Sequence, residues 1–131
     1  LLTVHHTGQD RWFNSIKKRD GKVHPYNQNK IAKSFKACSC PNTQLYNGML
    51  WKCPNTAFLQ ELLSVTEQSN DDEWQEYLVE GLPVNCSDEE LTSFCRRSKL
   101  PDKVCNMCTC KPLHFSAALQ ENTKRKVIIT Q

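Results

Sequence analysis

The stretch Cys38-Ser39-Cys40-Pro41-Asn42-Thr43-Gln44-Leu45-Tyr46-Asn47-Gly48-Met49-Leu50-Trp51-Lys52-Cys53-Pro54 decides how the rest of the chain is read. Asn47-Gly48 lies between two β-prone runs, and Asn-Gly is the strongest short-range hairpin signal because both central positions of a type I′ turn need positive φ. Thr43 to Tyr46 and Met49 to Lys52 are therefore expected as paired antiparallel strands. Counting outward from the turn brings Cys53 and the Cys38–Cys40 segment to the same open end of the ribbon. Antiparallel strands lie about 5 Å apart, so thiols from the two arms can converge on one inorganic centre. Pro41 and Pro54 stop each arm just outside it.

The other cysteines are weighed against this hairpin. Eight cysteines in 131 residues need a use, and disulfides, zinc and an iron–sulfur cluster compete for them. Cys105-Asn106-Met107-Cys108 is a C-x2-C pair of moderate specificity for metal, while Cys38–Cys40 and Cys108–Cys110 are weaker C-x-C pairs. Thiols this close in sequence rarely pair with each other and readily wrap one centre. Cys95 follows Leu91 by four residues on one helical face and reads as a small core residue. Cys86 precedes a helix cap and reads as structural too. His5, His6, His24 and His114 have no zinc-finger spacing and read as surface or satisfied histidines.

Charge divides the chain in the same way. Residues 1–56 carry a net +7, residues 57–95 a net −10, and residues 96–131 a net +6. Cys38, Cys40, Cys53, Cys105, Cys108 and Cys110 all lie in the basic blocks. Metal-bound thiolates leave negative charge that basic surroundings offset, whereas disulfides have no such preference. The bland alternative is that the acidic block is only a solvated helical excursion.

Length suits one domain. The longest apolar run is three residues, against the ~20 that a membrane-spanning helix needs, so no membrane partner is expected. The chain begins with Leu1, which reads as processing or as a piece of something longer. Leu1 to Val4 reads as a strand end and Gln9 to Lys18, with Trp12, Phe13 and Ile16, as a short helix. Asp20-Gly21 and Pro25-Tyr26-Asn27 mark turns. Further helices are expected over Gln28 to Lys36, from Thr56 to about Thr66, and through Trp74, Tyr77 and Leu78. Ser87 and Glu90 form a capping box that opens another helix carrying Leu91, Phe94 and Cys95. His114 to Gln131 reads as a helix and a basic, β-prone tail. The fold expected is α+β, a small β-hairpin with short helices organised around a cysteine-ligated cluster.

The spacing from Cys38 through Gly48 to Cys53, C-x9-G-x4-C, resembles the opening signature of the SPASM and twitch domains. These are the auxiliary iron–sulfur modules at the C-terminus of many radical SAM enzymes. Gln44 to Pro54 looks like that family's hairpin, and Cys105–Cys108 is similar to the C-x2-C that completes its cluster. The resemblance covers residues 34–110, about 60% of the chain. Three features depart from it. The C-x3-C-x2-C motif that binds the SAM-cleaving cluster is absent, there is no room for the partial barrel that holds it, and the two-cluster series C-x2-C-x5-C-x3-C is not met. The match is thus closer to the single-cluster, twitch-like form.

The resemblance implies that Cys38, Cys53, Cys105 and Cys108 ligate one [4Fe-4S] cluster, with Cys40 and Cys110 as alternates. It implies residues 1–33 as a linker or remnant of the preceding catalytic barrel, 34–112 as the iron–sulfur domain, and 113–131 as a C-terminal helix and basic tail. The expected function is an auxiliary cluster for electron transfer or substrate positioning, not catalysis by this chain alone. S-adenosylmethionine would act only through a missing catalytic domain. The expected partners are that radical SAM barrel, in cis or in trans, and its substrate, peptides among the candidates; a cytoplasmic location goes with them. The alternative is a structural Zn2+ module that binds protein or nucleic acid through Lys17-Lys18-Arg19 and Lys124-Arg125-Lys126. Nucleic acid is the weaker partner, since most basic runs are solvated faces. A secreted disulfide-rich protein is third, on the sequon Asn85-Cys86-Ser87.

Overall fold

The computed structural model of the chain describes residues 11–13, 15–38 and 42–116. The class is α+β: among these residues short α-helices alternate with small antiparallel sheets. Strand β1 (Arg11–Phe13) pairs with β7 (His114–Ser116), the last strand among the described residues, in a unit of its own. Residues 15–111 form the other unit, so residues 15–33 pack together with 34–111.

In this larger unit β2 (Lys17–Arg19) and β3 (Lys22–His24) make a hairpin whose turn residues Asp20 and Gly21 have φ of 52° and 74°. Within the helix expected over Gln9 to Lys18, the described residues 11–13 and 17–18 are strand instead, in β1 and β2. Three apolar residues at helical spacing are outweighed by the Asp-Gly turn, which forces the flanking residues into a ribbon. Likewise 114–116 are strand rather than helix. The strand end at Leu1 to Val4, His5, His6, and the tail from residue 117 onward lie outside the described residues.

The decisive hairpin forms as expected: β4 (Gln44–Tyr46) pairs with β5 (Met49–Trp51), with Leu45 opposite Leu50. Asn47 and Gly48 have φ of 52° and 72°, both positive as a type I′ turn needs. A third strand, β6 (Leu82–Pro83), adds to β5 where Gly81 lets the chain come close. A Cβ at Gly81 would lie 2.8 Å from the Met49 Cβ and 2.9 Å from Trp51 Cε2.

The helices are α1 (Ile31–Ala37), α2 (Pro54–Val65), α3 (Asp72–Gln75) and α4 (Asp88–Ser98), followed by a 3-10 turn over Lys103–Met107. In α2, Leu59 and Leu63 are fully buried one turn apart while Phe58 faces outward against Tyr46. They join Ile16, Val23, Trp74, Tyr77, Val104 and Met107 in one core, with Cys108 packed at its edge. Each such side chain contributes roughly 1.5–3 kcal/mol by leaving water. The one long polar group buried there, Gln68, accepts from the Val23 N–H and donates to the Val23 carbonyl, both at 2.9 Å. That clasp satisfies its amide and ties the acidic segment to β3.

The capping box of α4 is present: Ser87 Oγ accepts from Glu90 N–H at 3.2 Å and Glu90 accepts from Ser87 N–H at 2.8 Å. Its inward line is Phe94 and Ser98, and no residue of α4 is buried. Cys95 is exposed, which corrects its expected core role. Residue 95 lies about 100° round the helix from Phe94, so seating Phe94 turns the Leu91–Cys95 line to solvent. No helix among the described residues is long and apolar enough to cross a membrane.

Candidate metal centre

The cysteines that the spacing singled out leave the fold at three places. Cys38 follows the last turn of α1, where its N–H donates to the Phe35 carbonyl at 3.2 Å and the backbone turns extended. Cys53 leaves β5 and caps α2, in extended conformation. Its N–H donates to Thr56 Oγ1 at 3.3 Å, and Thr56 Oγ1 donates to its carbonyl at 2.8 Å. Cys105 sits in the 3-10 turn and Cys108 directly after it.

The 3-10 turn is held from several sides. Asp102 Oδ1 accepts from Val104 N–H at 3.0 Å and so caps it, while Val104 and Met107 enter the core. Tyr26 N–H and Asn27 N–H donate to the carbonyls of Met107 and Asn106, both at 3.0 Å, and Thr109 N–H donates to the Ser15 carbonyl at 3.0 Å. Helix α1 packs against the same turn. Residues 15–38 thus form one wall of the site, and the C-x2-C loop is a fixed element.

Burial pushes the Cys108 thiol up to about 12. The side-chain amide of Asn55 opposes this, donating to Cys108 Sγ at 3.1 Å, and thiolate charge at Cys53, Cys38 and Cys105 adds to the rise. The Cys105 thiol is raised too, again by burial first; contact with Asp102 backbone and the Lys52 charge lower it, and Asp102 and Cys53 charge raise it. Cys38, Cys53 and Cys105 therefore all lie within electrostatic reach of Cys108, although they come from three separate segments. Thiol sulfur is a soft donor suited to zinc or to iron–sulfur clusters. Among the described residues, no three His, Cys, Asp or Glu side chains group so as to hold a single metal ion.

The remaining sites fall elsewhere. Cys40 lies outside the described residues. Cys110 is half-buried, its N–H donating to Gln28 Oε1 at 2.9 Å. Cys86 is half-buried before α4. Cys53, Cys86, Cys95, Cys105, Cys108 and Cys110 carry free thiols, so none of them is in a disulfide. His24 is satisfied by Glu73 Oε1 at 2.7 Å.

Sequence reading missed Asn55, Lys52 and Asp102. Asn55 is the second residue of α2 and reaches Ser15 Oγ (3.0 Å) as well as Cys108. Lys52 Nζ pairs with Asp102 Oδ2 at 2.9 Å. The Asp102 cap position, three residues before Cys105, is a signal that sequence can carry; nothing local marks the other two. A cavity of about 340 Å3 opens beside Lys52 and Asp102, walled by Trp51, Val79, Phe94 and Val104 with Arg97 and Lys103. No protein-family model matches the chain, and no curated protein and no solved structure is significantly similar to it.

Proposed function

We propose that this chain carries an auxiliary [4Fe-4S] centre of the SPASM/twitch type, held by Cys38, Cys53, Cys105 and Cys108. The observation that carries the reading is electrostatic: three of these thiols act together on the fourth, Cys108, at the edge of the core. A buried thiol pushed to about 12 stays protonated in the free chain. Ionising four neighbouring thiols calls for a cationic centre, because each thiolate opposes the next. Thiol sulfur is chemically suited to a cluster. The Asn55 amide, already aimed at Cys108 Sγ, fits the role of a hydrogen-bond donor to a ligand sulfur.

When bound, the cluster would supply one-electron chemistry, and four thiolate ligands leave its irons fully held, which favours electron transfer over substrate anchoring. The chain's own residues orient the thiols, exclude water behind Cys108, and hold one sulfur through Asn55. Cys40 and Cys110 serve as alternates. The radical chemistry belongs to a SAM-binding barrel in cis or in trans, acting on a substrate such as a peptide, in the reducing cytoplasm.

The test is anaerobic purification or reconstitution followed by iron, sulfide and zinc analysis. Four iron and four sulfide per chain are expected. Stoichiometric zinc without iron would transfer the same thiols to a structural zinc module. S-adenosylmethionine with a reductant should give no 5′-deoxyadenosine, and product from this chain alone would overturn the auxiliary assignment.

A further inference from the structure

Helix α4 carries an apolar line yet buries none of its residues. Phe94 stays half-buried because α4 does not close on the body of the fold: the cavity of about 340 Å3 opens between them. Phe94 and Ser98 line it from α4, Trp51 from β5, Val79 from the segment before β6, and Val104 from the 3-10 turn. Protein cores leave few voids larger than a water molecule, whereas small-molecule sites occupy about 300–1,000 Å3. A cavity of about 150 Å3 holds one benzene ring, so there is room here for a ring and a short chain.

The polar side chains of the lining divide into two sets. Trp51 Nε1 donates to the Tyr46 carbonyl at 3.0 Å, Thr56 Oγ1 to the Cys53 carbonyl at 2.8 Å and Ser98 Oγ to the Cys95 carbonyl at 3.0 Å. Lys52 and Asp102 answer each other's charge at 2.9 Å, and the other Asp102 oxygen caps Val104. Arg97, Lys103 and Glu80 form the second set: among the described residues their side chains make no ion pair and no hydrogen bond. Two uncommitted cations against one uncommitted carboxylate leave a net +1 at the cavity. Arg97 stands on α4 and Lys103 on the 3-10 turn, so the cations come from separate walls. A single exposed cation is an ordinary solvated charge; two at the mouth of an aromatic-walled hollow complement an anion with an apolar body.

We infer that this cavity binds a small organic monocarboxylate with an aromatic or branched hydrocarbon body, its carboxylate held by Arg97 and Lys103 and its body packed against Trp51 and Phe94. A guanidinium fork matches a carboxylate with two parallel hydrogen bonds. The hydrocarbon body supplies the apolar burial that α4 lacks on its own. A phosphate ester fits less well: it carries about −1.5 to −2 charge at neutral pH, which exceeds the uncommitted +1 and faces Glu80. No metal and no cysteine thiol takes part, so the site goes beyond the iron–sulfur reading and stands apart from it.

The test is calorimetric titration of the full chain with hydrocinnamate at low ionic strength. One site per chain is expected, with the neutral hydrocinnamyl alcohol at least about tenfold weaker because it lacks the charge-assisted bonds. Phenylpropylamine, of the same shape and opposite charge, should not bind, and phenyl phosphate should bind more weakly than the acid. Arg97→Gln and Lys103→Gln, both at exposed positions, should each weaken hydrocinnamate by about fivefold or more. Arg96→Gln, exposed on the same helix but outside the cavity, should leave it unchanged. Val79→Trp, at a wall residue 37% exposed, should fill the space and abolish binding. Alcohol binding as tightly as acid, parental affinity in both glutamine variants, or no saturation by about 10 mM overturns the site. Phenyl phosphate binding more tightly than hydrocinnamate overturns the monocarboxylate as its ligand.

Discussion

Asn55 Nδ2 donates a hydrogen bond to Cys108 Sγ at 3.1 Å, joining the first turn of α2 to the end of the 3-10 turn across 53 residues of sequence. The same amide reaches Ser15 Oγ at 3.0 Å, so its orientation is set from two sides. A donor aimed at sulfur favours the thiolate, and it is the largest influence lowering the Cys108 thiol. Asn55→Ala should therefore raise that thiol further and slow its alkylation by iodoacetamide several-fold at pH 9. Exposed Cys95 serves as the internal control. Equal Cys108 rates in parent and variant, followed by mass spectrometry of the labelled peptides, would show that the amide does not act on the sulfur.

The same thiol predicts a pH dependence for the metal-free chain. Cys108 holds its proton to about 12 in the fold, above the ordinary thiol value of 9.0. The folded state thus binds the proton more tightly than the unfolded state does. The stability this contributes is complete below pH 9 and is lost as pH rises from there through about 12. The slope should approach about 1.4 kcal/mol per pH unit at its steepest. Cys105, shifted in the same direction, adds to it. Urea unfolding from pH 8 upward checks this, and Cys108→Ser should leave only the shallower dependence due to Cys105 and to Tyr77, which burial also raises.

Two glycines of the three-stranded sheet should fail for different reasons. Gly48 has φ of 72° and nothing within 4 Å of a built Cβ, so Gly48→Val meets only backbone strain, about 1–3 kcal/mol. Because that turn sets the arm leading to Cys53, iron retention should fall with it. Gly81→Ala instead drives a methyl into Met49 and Trp51 and should cost about 1–3 kcal/mol by overpacking. Chemical denaturation of both variants reads the difference directly; a Gly48→Val chain that keeps parental stability and iron would remove the turn from any role in placing Cys53.

Cysteine substitutions should separate ligand from bystander. Cys53→Ala is expected to abolish cluster retention. Cys95→Ala, at an exposed helix position, should keep full iron content and change stability by no more than about 0.5 kcal/mol. Comparable iron loss in both variants would remove the distinction.

Features that depend only on neighbours along the chain are legible in the amino-acid sequence by itself. Asn47-Gly48 dictates its turn through the φ values its own residues tolerate, and Ser87 with Glu90 closes a cap through bonds three residues long. The C-x2-C pair is legible as a unit for the same reason: the 3-10 turn that presents it is closed locally by Asp102. What the tertiary structure decided lies 45 to 53 residues apart: Gln68 on Val23, Lys52 on Asp102, Asn55 on Cys108. No spacing rule encodes such pairs, because they exist only once the hydrophobic faces of α2, α3 and the 3-10 turn have chosen a common core. The exposure of Cys95 belongs with them. A helical stripe states which residues share a face, but the packing of Phe94 chose which face turned inward, and burial is a property of the whole fold rather than of the pattern that suggested it.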